Sequence, residues 1–516
     1  MKKAIIVLSG MLLPVAGIAQ ENEIPKFVPG VYALKMSPNG KWIGSMAGDA
    51  SIYEVATGEN IYYPECSLGL GNAVADNGMA VGCNNEIGAV MYNGNRIYPE
   101  AFMKYDFCNL NGITKDASRV AGYLSSDEDD QPTYVPFVAL VDQDGNVGEP
   151  VLLPIPEKDF FGGTPQYVTA VWISDDGKTV VGDVLDWRGL YSYPIYFKEN
   201  PEGEWDYYLP TEHLFNPTGI EILPNPWFNE PPFPEPENFM TGALKDAYMA
   251  AYEAFSSGAG PSPDPKDYMS STQYEEYVEA VDSYNEWFHS QEDAMWDYYD
   301  MYRKILETSP TFSSNDMAMH PSGQYFMIHG GKYNDEGTFE GTIFNISTDG
   351  EKITEVKAPS ADLFPYQILE NGTLVITRGI EDVPTSYIKL ADSDDFITLQ
   401  EYFEGSMPSV VTWLNETVPG GTGVVLISED MSLFTGALIP DQLADFDYEN
   451  SPFYYSTYFI FSDTAGVESV ITQPQDGVYR VYNLQGVKVM ETNDVSEINN
   501  LSKGIYIVNG KKVVVK

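Results

Sequence analysis

A nine-residue phrase, Ser174-Asp175-Asp176-Gly177-Lys178-Thr179-Val180-Val181-Gly182, recurs in altered form along most of the chain. The other copies are SPNGKWIG from Ser37, ADNGMAVG from Ala75, TKDASRVAG from Thr114, HPSGQYFMI from His320, LENGTLVIT from Leu369 and SEDMSLFTG from Ser428. Each sets a polar turn, usually Asx-Gly, between apolar flanks. Asn, Asp and Gly tolerate the positive φ of tight hairpins, and exits rich in Val, Ile and aromatics suit buried strands. Two further strand-like runs usually follow. Behind Gly182 these are SYPIYFKE and EWDYYLP, joined by Asn200-Pro201-Glu202-Gly203.

A lone four-stranded unit leaves its faces bare, whereas units stacked around an axis cover one another. With the turn as register, the copies fall at 40, 78, 118, 177, 323, 372 and 432, at intervals of 38, 40, 59, 146, 49 and 60 residues. Most intervals suit a blade of ~40–50 residues with loop extensions. The predicted fold class is all-β: a seven-bladed β-propeller over residues 20–465 with an inserted α-helical hairpin, followed by a small C-terminal β-sandwich. An array of β-sandwiches is the competing arrangement. The motif resembles the Ser-x-Asp-Gly-x-x-Val-x-Gly repeats of exported bacterial propeller proteins over residues 30–462, a resemblance that implies fold and no catalytic residues.

The 146-residue interval differs in character. Six prolines between Pro224 and Pro236 forbid regular structure there. From Asn238 to Thr308 apolar residues then recur at helical spacing: Leu244, Tyr248, Ala251 and Phe255, and, past a Gly/Pro-rich break, Tyr274, Tyr277, Val281, Tyr284, Phe288, Gln291, Met295, Tyr298, Tyr302 and Ile305. A capping box at Ser270/Gln273 or Thr272/Glu275 would start a helix running to about Glu307. The spacing predicts an antiparallel helical hairpin over 238–308, between blades four and five. Its 71 residues carry 14 aromatics, and 14 acids against four bases. The aromatic seam glues the helices together; Trp287 and Trp296, off that seam, are candidate interaction residues, as are Trp227 and Phe228 in the proline-rich stretch, because exposed aromatics concentrate contact energy.

The two ends set an expected address. MKKAIIVLSGMLLPVAGIA joins two lysines to an apolar run ending in small residues, and reads as a signal peptide over 1–19. The apolar run, Ile5 to Ala19, is shorter than the ~20 residues of a spanning helix, and no later stretch could span a bilayer after cleavage. At the other end, residues 467–516 hold six bases and five acids, unlike the strongly acidic remainder. Here Val481-Tyr482-Asn483-Leu484-x-Gly486, then Leu501-x-x-Gly504-Ile505-Tyr506-Ile507-Val508 and a Lys-rich ending, resemble the C-terminal sorting domain of type IX secretion substrates in Bacteroidetes. That resemblance covers residues 466–516 and implies a small β domain read by the export machinery, with Tyr482, Leu484, Gly486, Leu501, Gly504, Ile505 and Tyr506 as its motif. Asp463-Thr464-Ala465 resembles a short O-glycan acceptor in the same bacteria. The expected localisation is secreted or outer cell surface. Cys66, Cys83 and Cys108 allow one bridge and a spare thiol or three thiols.

Charge and motif content narrow the chemistry. With 76 acidic residues against 28 basic, net −48, the surface repels nucleic acid, whose binding depends on Lys and Arg releasing counterions. The four histidines, His213, His289, His320 and His329, lack metal-ligand spacing, and neither HExxH nor GxSxG is present. No cofactor is expected; calcium is the one metal considered, at SSDEDDQ from Ser125 and VDQDGN from Val141, which read as a solvated loop and a hairpin turn. The expected function is a binding or interaction module for a protein or glycan ligand, with any catalytic residues unassigned. The alternative is a propeller enzyme acting on glycans through paired carboxylates near the axis, which requires an axial pocket holding an Asp/Glu pair between aromatic walls.

Overall fold

The repeated phrase folds the same way each time. In all seven copies a backbone N–H closes a turn onto the carbonyl three residues earlier: Gly40 to Ser37, Gly78 to Ala75, Ala117 to Thr114, Gly177 to Ser174, Gly323 to His320, Gly372 to Leu369 and Met431 to Ser428, at 2.8–3.1 Å. Each of those donors has positive φ, between 54° and 88°. Two are Ala117 and Met431 rather than glycine. The register predicted at 118 and 432 is therefore corrected by one residue, because the left-handed position was sought at the next small polar residue. The phrase's closing glycine has its own cause: a Cβ on Gly82, Gly122 or Gly182 would lie 1.8–1.9 Å from the carbonyl oxygen of Ser67, Asn109 or Thr169 on the neighbouring segment. Only glycine permits that approach.

The computed structural model describes residues 25–515 apart from 85–86, 126–132, 187–190, 225, 227–230, 258, 335, 350–351, 379–384, 440–454, 463–477, 484–487, 493–503 and 509–510. The fold is mostly β, in antiparallel sheets that follow one another along the chain. The first contains Ala33–Met36, Trp42–Ala47, Asp49–Glu54 and Asn60–Tyr63, and the second Cys66–Leu68, Ala80–Asn84, Ile87–Tyr92 and Asn95–Ile97. The third set begins at Cys108–Ile113 and the fourth at Tyr167–Val168 and Trp172–Ile173; one parallel bridge, Tyr134 to Tyr167, merges them into a nine-stranded sheet. The fifth begins at Thr311–Met319 and the sixth at Phe364–Ile368. The last of this series contains Val424–Ile427, Leu433–Leu438 and Ser456–Phe461, and is completed by Lys26–Pro29 from the start of the chain, with Lys26 opposite Phe459.

These sets pack in a propeller-like succession. The first strand of each lies against the set before it, and Val424–Ile427 touches both the sixth sheet and Ala33–Met36 of the first. Bonds between turns follow the same circuit. Asn39 N donates to Asp76 Oδ1 (2.8 Å), Asp76 N to Lys115 O (3.0 Å) and Arg119 Nη1 to Gly177 O (3.1 Å). Asp175 N then donates to Pro321 O (2.8 Å), His320 Nε2 stands 3.0 Å from Glu370 O, Glu370 N donates to Glu429 Oε2 (2.5 Å) and Glu429 N to Pro38 O (2.9 Å).

The chain divides into two compact units, the second comprising His213–Pro310 and Lys332–Phe339. That unit is helical, with α1 (Ala243–Ser256), α2 (Ser271–Ser290) and α3 (Glu292–Thr308). The capping box forms at Ser270 and Gln273. The single long helix expected to about Glu307 is interrupted at Gln291, the one polar member of the seam, and α1 meets the short turns Pro236–Phe239 and Pro265–Tyr268 rather than lying along α2. The seam is buried on α3 at Met295, Tyr298, Tyr302 and Ile305, but α2 buries no residue fully. In the first unit two helices foreseen by no pattern above, α4 (Leu399–Phe403) and α5 (Pro408–Thr417), bury Leu399, Phe403, Val410 and Leu414 in the core and lengthen the step from Gly372 to Met431.

The C-terminal residues form one antiparallel sheet, with Tyr479–Asn483 paired to both Lys488–Thr492 and Gly504–Val508, and Lys511–Val515 at the edge. The second layer that a sandwich needs is not among the described residues. Cys66, Cys83 and Cys108 are free thiols; burial raises the Cys66 thiol and pushes Cys108 up to about 12.

Candidate functional site

Within the first unit, one pocket collects residues from all seven strand sets. The first strands supply Leu34, Lys35, Met36, Ile113, Trp172, Ile173, Met319, Tyr366, Gln367, Ile368 and Leu426, and the segment after Cys66–Leu68 supplies Gly71–Val74. The turns supply Pro38, Lys115, Asp175, Pro321 and Glu429. Those five occupy one place in the repeated phrase, the residue after its first. The remaining copies put Asp76 and Glu370 there, and both act electrostatically on Asp175. Periodicity thus delivers the same register position of every turn to one locality, while the residue types there vary freely. The pocket encloses about 80 Å³.

Its wall is tied together by side-chain amides. Asn72 Nδ2 donates to Ile113 O (3.0 Å) and Ile173 O (2.8 Å), and Gln367 exchanges two bonds with Ile427 (2.7 and 2.9 Å). Close approach is built into the backbone, since a Cβ on Gly71 would sit 1.9 Å from Val171 O. Lys35 reaches in between two rings, its Nζ 5.7 Å from the centroids of both Trp172 and Tyr366, and donates to Leu70 O. Its ammonium is shielded from water although the residue as a whole is half-buried, and desolvation lowers its pKa to about 8. Tyr366 is held by a 2.6 Å bond from its hydroxyl to Leu34 O.

Two carboxyl groups face this pocket. Burial, reinforced by Glu370, Asp76 and Asp116 and opposed by Lys115, pushes Asp175 up to about 6. Burial, with Asp175 and Glu370 adding to it and Lys115 opposing, pushes Glu429 up to about 7 although it accepts the Glu370 N–H. The two carboxyls therefore interact, and Glu429 near neutrality and Asp175 near pH 6 are still partly protonated where ordinary surface acids are ionised. Among the described residues no group of three His, Cys, Asp or Glu side chains could hold a metal ion. Asp142 accepts from Asn146 and closes a hairpin turn, as VDQDGN was read; 126–132, most of the other acidic stretch, lie outside the described residues.

The residues singled out from sequence are placed as follows where the structure describes them. Trp287 is half-buried on α2, its ring 6.2 Å from that of Tyr284, and Trp296 on α3 is 66% exposed. Trp227 and Phe228 lie outside the described residues, as do Leu484, Gly486 and Leu501. Tyr482 is half-buried in its strand, and Gly504, Ile505 and Tyr506 open the strand that pairs with it. Trp287, Trp296 and Tyr482 are not among the residues that line the pocket. The pocket residues were missed because the phrase had been aligned for its turn glycine. Lining up the position two residues before the last turn residue would have displayed Pro, Asp, Lys, Asp, Pro, Glu and Glu in succession.

No protein-family model matches the sequence, and no curated protein matches it. Among solved structures, the chain is similar to Kuenenia stuttgartiensis hydrazine synthase, at 12% identity and a TM-score of 0.37, over 81% of this chain and 95% of that one. It is similar to an oligogalacturonate lyase in complex with manganese, at 8% identity and a TM-score of 0.39, over 86% and 92%. A third, oligogalacturonate lyase from Vibrio parahaemolyticus, gives 8% identity and a TM-score of 0.38, over 84% and 90%. Likeness at this level says nothing about chemistry. Among the described residues no helix is long and apolar enough to cross a membrane.

Proposed function

We propose that this chain is a secreted or surface-displayed binding module, built as a seven-bladed β-propeller that receives a protruding group of its partner in the axial pocket. The circuit of bonds between the seven turns, with Lys26–Pro29 completing the last strand set, supports seven blades closed by the two ends of the propeller. The observation that carries the binding reading is the pocket's size. About 80 Å³ is well below the ~300–1,000 Å³ of sites that enclose a small-molecule substrate, so a group entering end-on suits it better than a whole ligand. The helical segment is an insertion between blades four and five, and Trp296, 66% exposed, is its contact point. Export rests on residues 1–19, and surface sorting by a Bacteroidetes-type machinery on the tail, whose separate sheet is consistent with a module of its own.

A second reading, an enzyme acting on glycans by general acid-base chemistry, draws support from one observation: Asp175 and Glu429 face one pocket with raised pKa values, beside Trp172 and Tyr366. The two separate in one experiment. Peptide and glycan libraries are screened for binding and for new reducing ends, using the wild type and Met36→Trp, which fills the pocket. Binding lost in Met36→Trp without turnover supports the module. Turnover abolished by Glu429→Gln overturns it in favour of the enzyme.

A further inference from the structure

Resting on the axial-pocket reading, we infer that the group received is an alkylammonium, the side chain of a lysine presented by a partner protein, which enters between Asp175 and Glu429 and over the aromatic wall. Three features converge on a cation. The first is the cavity, roomy enough for the end of an unbranched chain and lined by both Asp175 and Glu429. The second is the wall: the ammonium of Lys35 lies 5.7 Å from the ring centroids of both Trp172 and Tyr366, so this lining already accommodates an alkylammonium beside aromatic rings. The third is the charge of the turns. Pro38, Asp76, Lys115, Asp175, Pro321, Glu370 and Glu429 provide four acids and one base, and Asp116 adds a fifth acid. An anionic ligand would meet repulsion from these acids, and a neutral one would bring Asp175 and Glu429 no counter-charge beyond that of Lys115. A net charge of −48 favours approach of basic partners over the same path.

Binding should therefore be coupled to protons. An ammonium favours the ionised carboxylates, so its arrival expels the protons that Glu429 retains near neutrality and Asp175 near pH 6. The charged groups acting on these two are Lys115 and Glu370 and, on Asp175, Asp76 and Asp116, and Lys35 shares the pocket lining. Of these, Lys115 beside the carboxyls and Lys35 over the rings are the cations competing with the ligand. Affinity should rise with pH between about 5 and 8, and fall with added salt.

The full chain is titrated calorimetrically with acetyl-Gly-Lys-Gly-amide, with the isosteric norleucine peptide and with n-butylammonium, at pH 6 and pH 8 in buffers of different ionisation enthalpy. The lysine peptide is expected to bind with proton release, about tenfold more tightly at pH 8, while the norleucine peptide fails to bind. Asp175→Asn and Glu429→Gln should each weaken binding about tenfold. Lys115→Met should strengthen it, a change no loss of fold would produce; melting curves confirm that each variant is folded. Equal binding of the norleucine peptide, or affinity unchanged between pH 6 and 8, overturns the ammonium assignment. Butylammonium binding as tightly as the peptide overturns the protein source in favour of a free amine. The pocket reading fails separately: it falls if Met36→Trp leaves a ligand from the library screen bound as before, and it survives if that ligand is lost while no ammonium ever binds.

Discussion

The pocket and the helical segment are both rich in aromatic and acidic residues, yet the fold treats them oppositely. In the strand sets, repetition makes every turn equivalent. Charged side chains from distant parts of the chain therefore meet, and their pKa values shift. In the helical segment the periodic residues are only partly covered. Leu244 and Phe255 of α1 are 49% and 43% exposed, Phe288 of α2 is 41% exposed, and full burial of the second seam is confined to α3. Its ion pairs are local, such as Arg303 to Asp300 and Glu307, and such exposed pairs contribute little. A helical period guarantees a face, whereas a repeat of whole units guarantees neighbours.

Substitutions can sharpen or break this contrast. The largest effect is expected from Gly182→Ala, whose Cβ would lie 1.8 Å from Thr169 O; a loss of about 4 kcal/mol or more should appear in denaturant titration. Tolerance near that of an exposed helical site would show that the strand contacts are loose. Next comes pH. Asp175 and Glu429 are held above their ordinary values, so their protonated forms stabilise the fold at low pH, and this contribution is lost as pH rises through about 6 and about 7. Glu429→Gln mimics the protonated acid. It should match the wild type near pH 4 and exceed it by about 2 kcal/mol at pH 8. Thermal melts across that range test it, and parallel curves would mean that the carboxyls are well solvated. In the helical unit Ser270→Ala removes the cap from Gln273 N, costing α2 about 1 kcal/mol in urea melts followed by helical circular dichroism. The smallest change belongs to Trp296→Ala, at 66% exposure: stability should move by less than about 0.5 kcal/mol, while any partner binding through that face weakens. A large stability loss would mean that the ring is packed.

How far the chain could be read depended on whether the cause was local. The turns were legible because Asn, Asp and Gly announce the left-handed backbone they permit, down to Gly177 and Gly323. Ala117 and Met431 hid the same geometry behind residues that rarely adopt it. The cap at Ser270 and Gln273 was legible because its partners lie three residues apart. The pairing of Lys26–Pro29 with Ser456–Phe461 was not: four residues carry too little pattern to name a partner more than 400 positions away. Nor was the small helix pair α4 and α5, whose apolar residues gain their meaning from the strands beneath them. The unbroken helix to Glu307 was overestimated because periodicity passes over a single polar residue, and Gln291 is where α2 and α3 part.

The sequence by itself determined the repeat, the turn geometry and the intrusion of a helical segment, since each follows from steric preferences acting over a few residues. Only the tertiary structure decided that Asp175 and Glu429, 254 residues apart, face one pocket with Lys35, Lys115, Trp172 and Tyr366. Charge interaction and desolvation act through space, and their strength is fixed by distances that the order of residues does not contain.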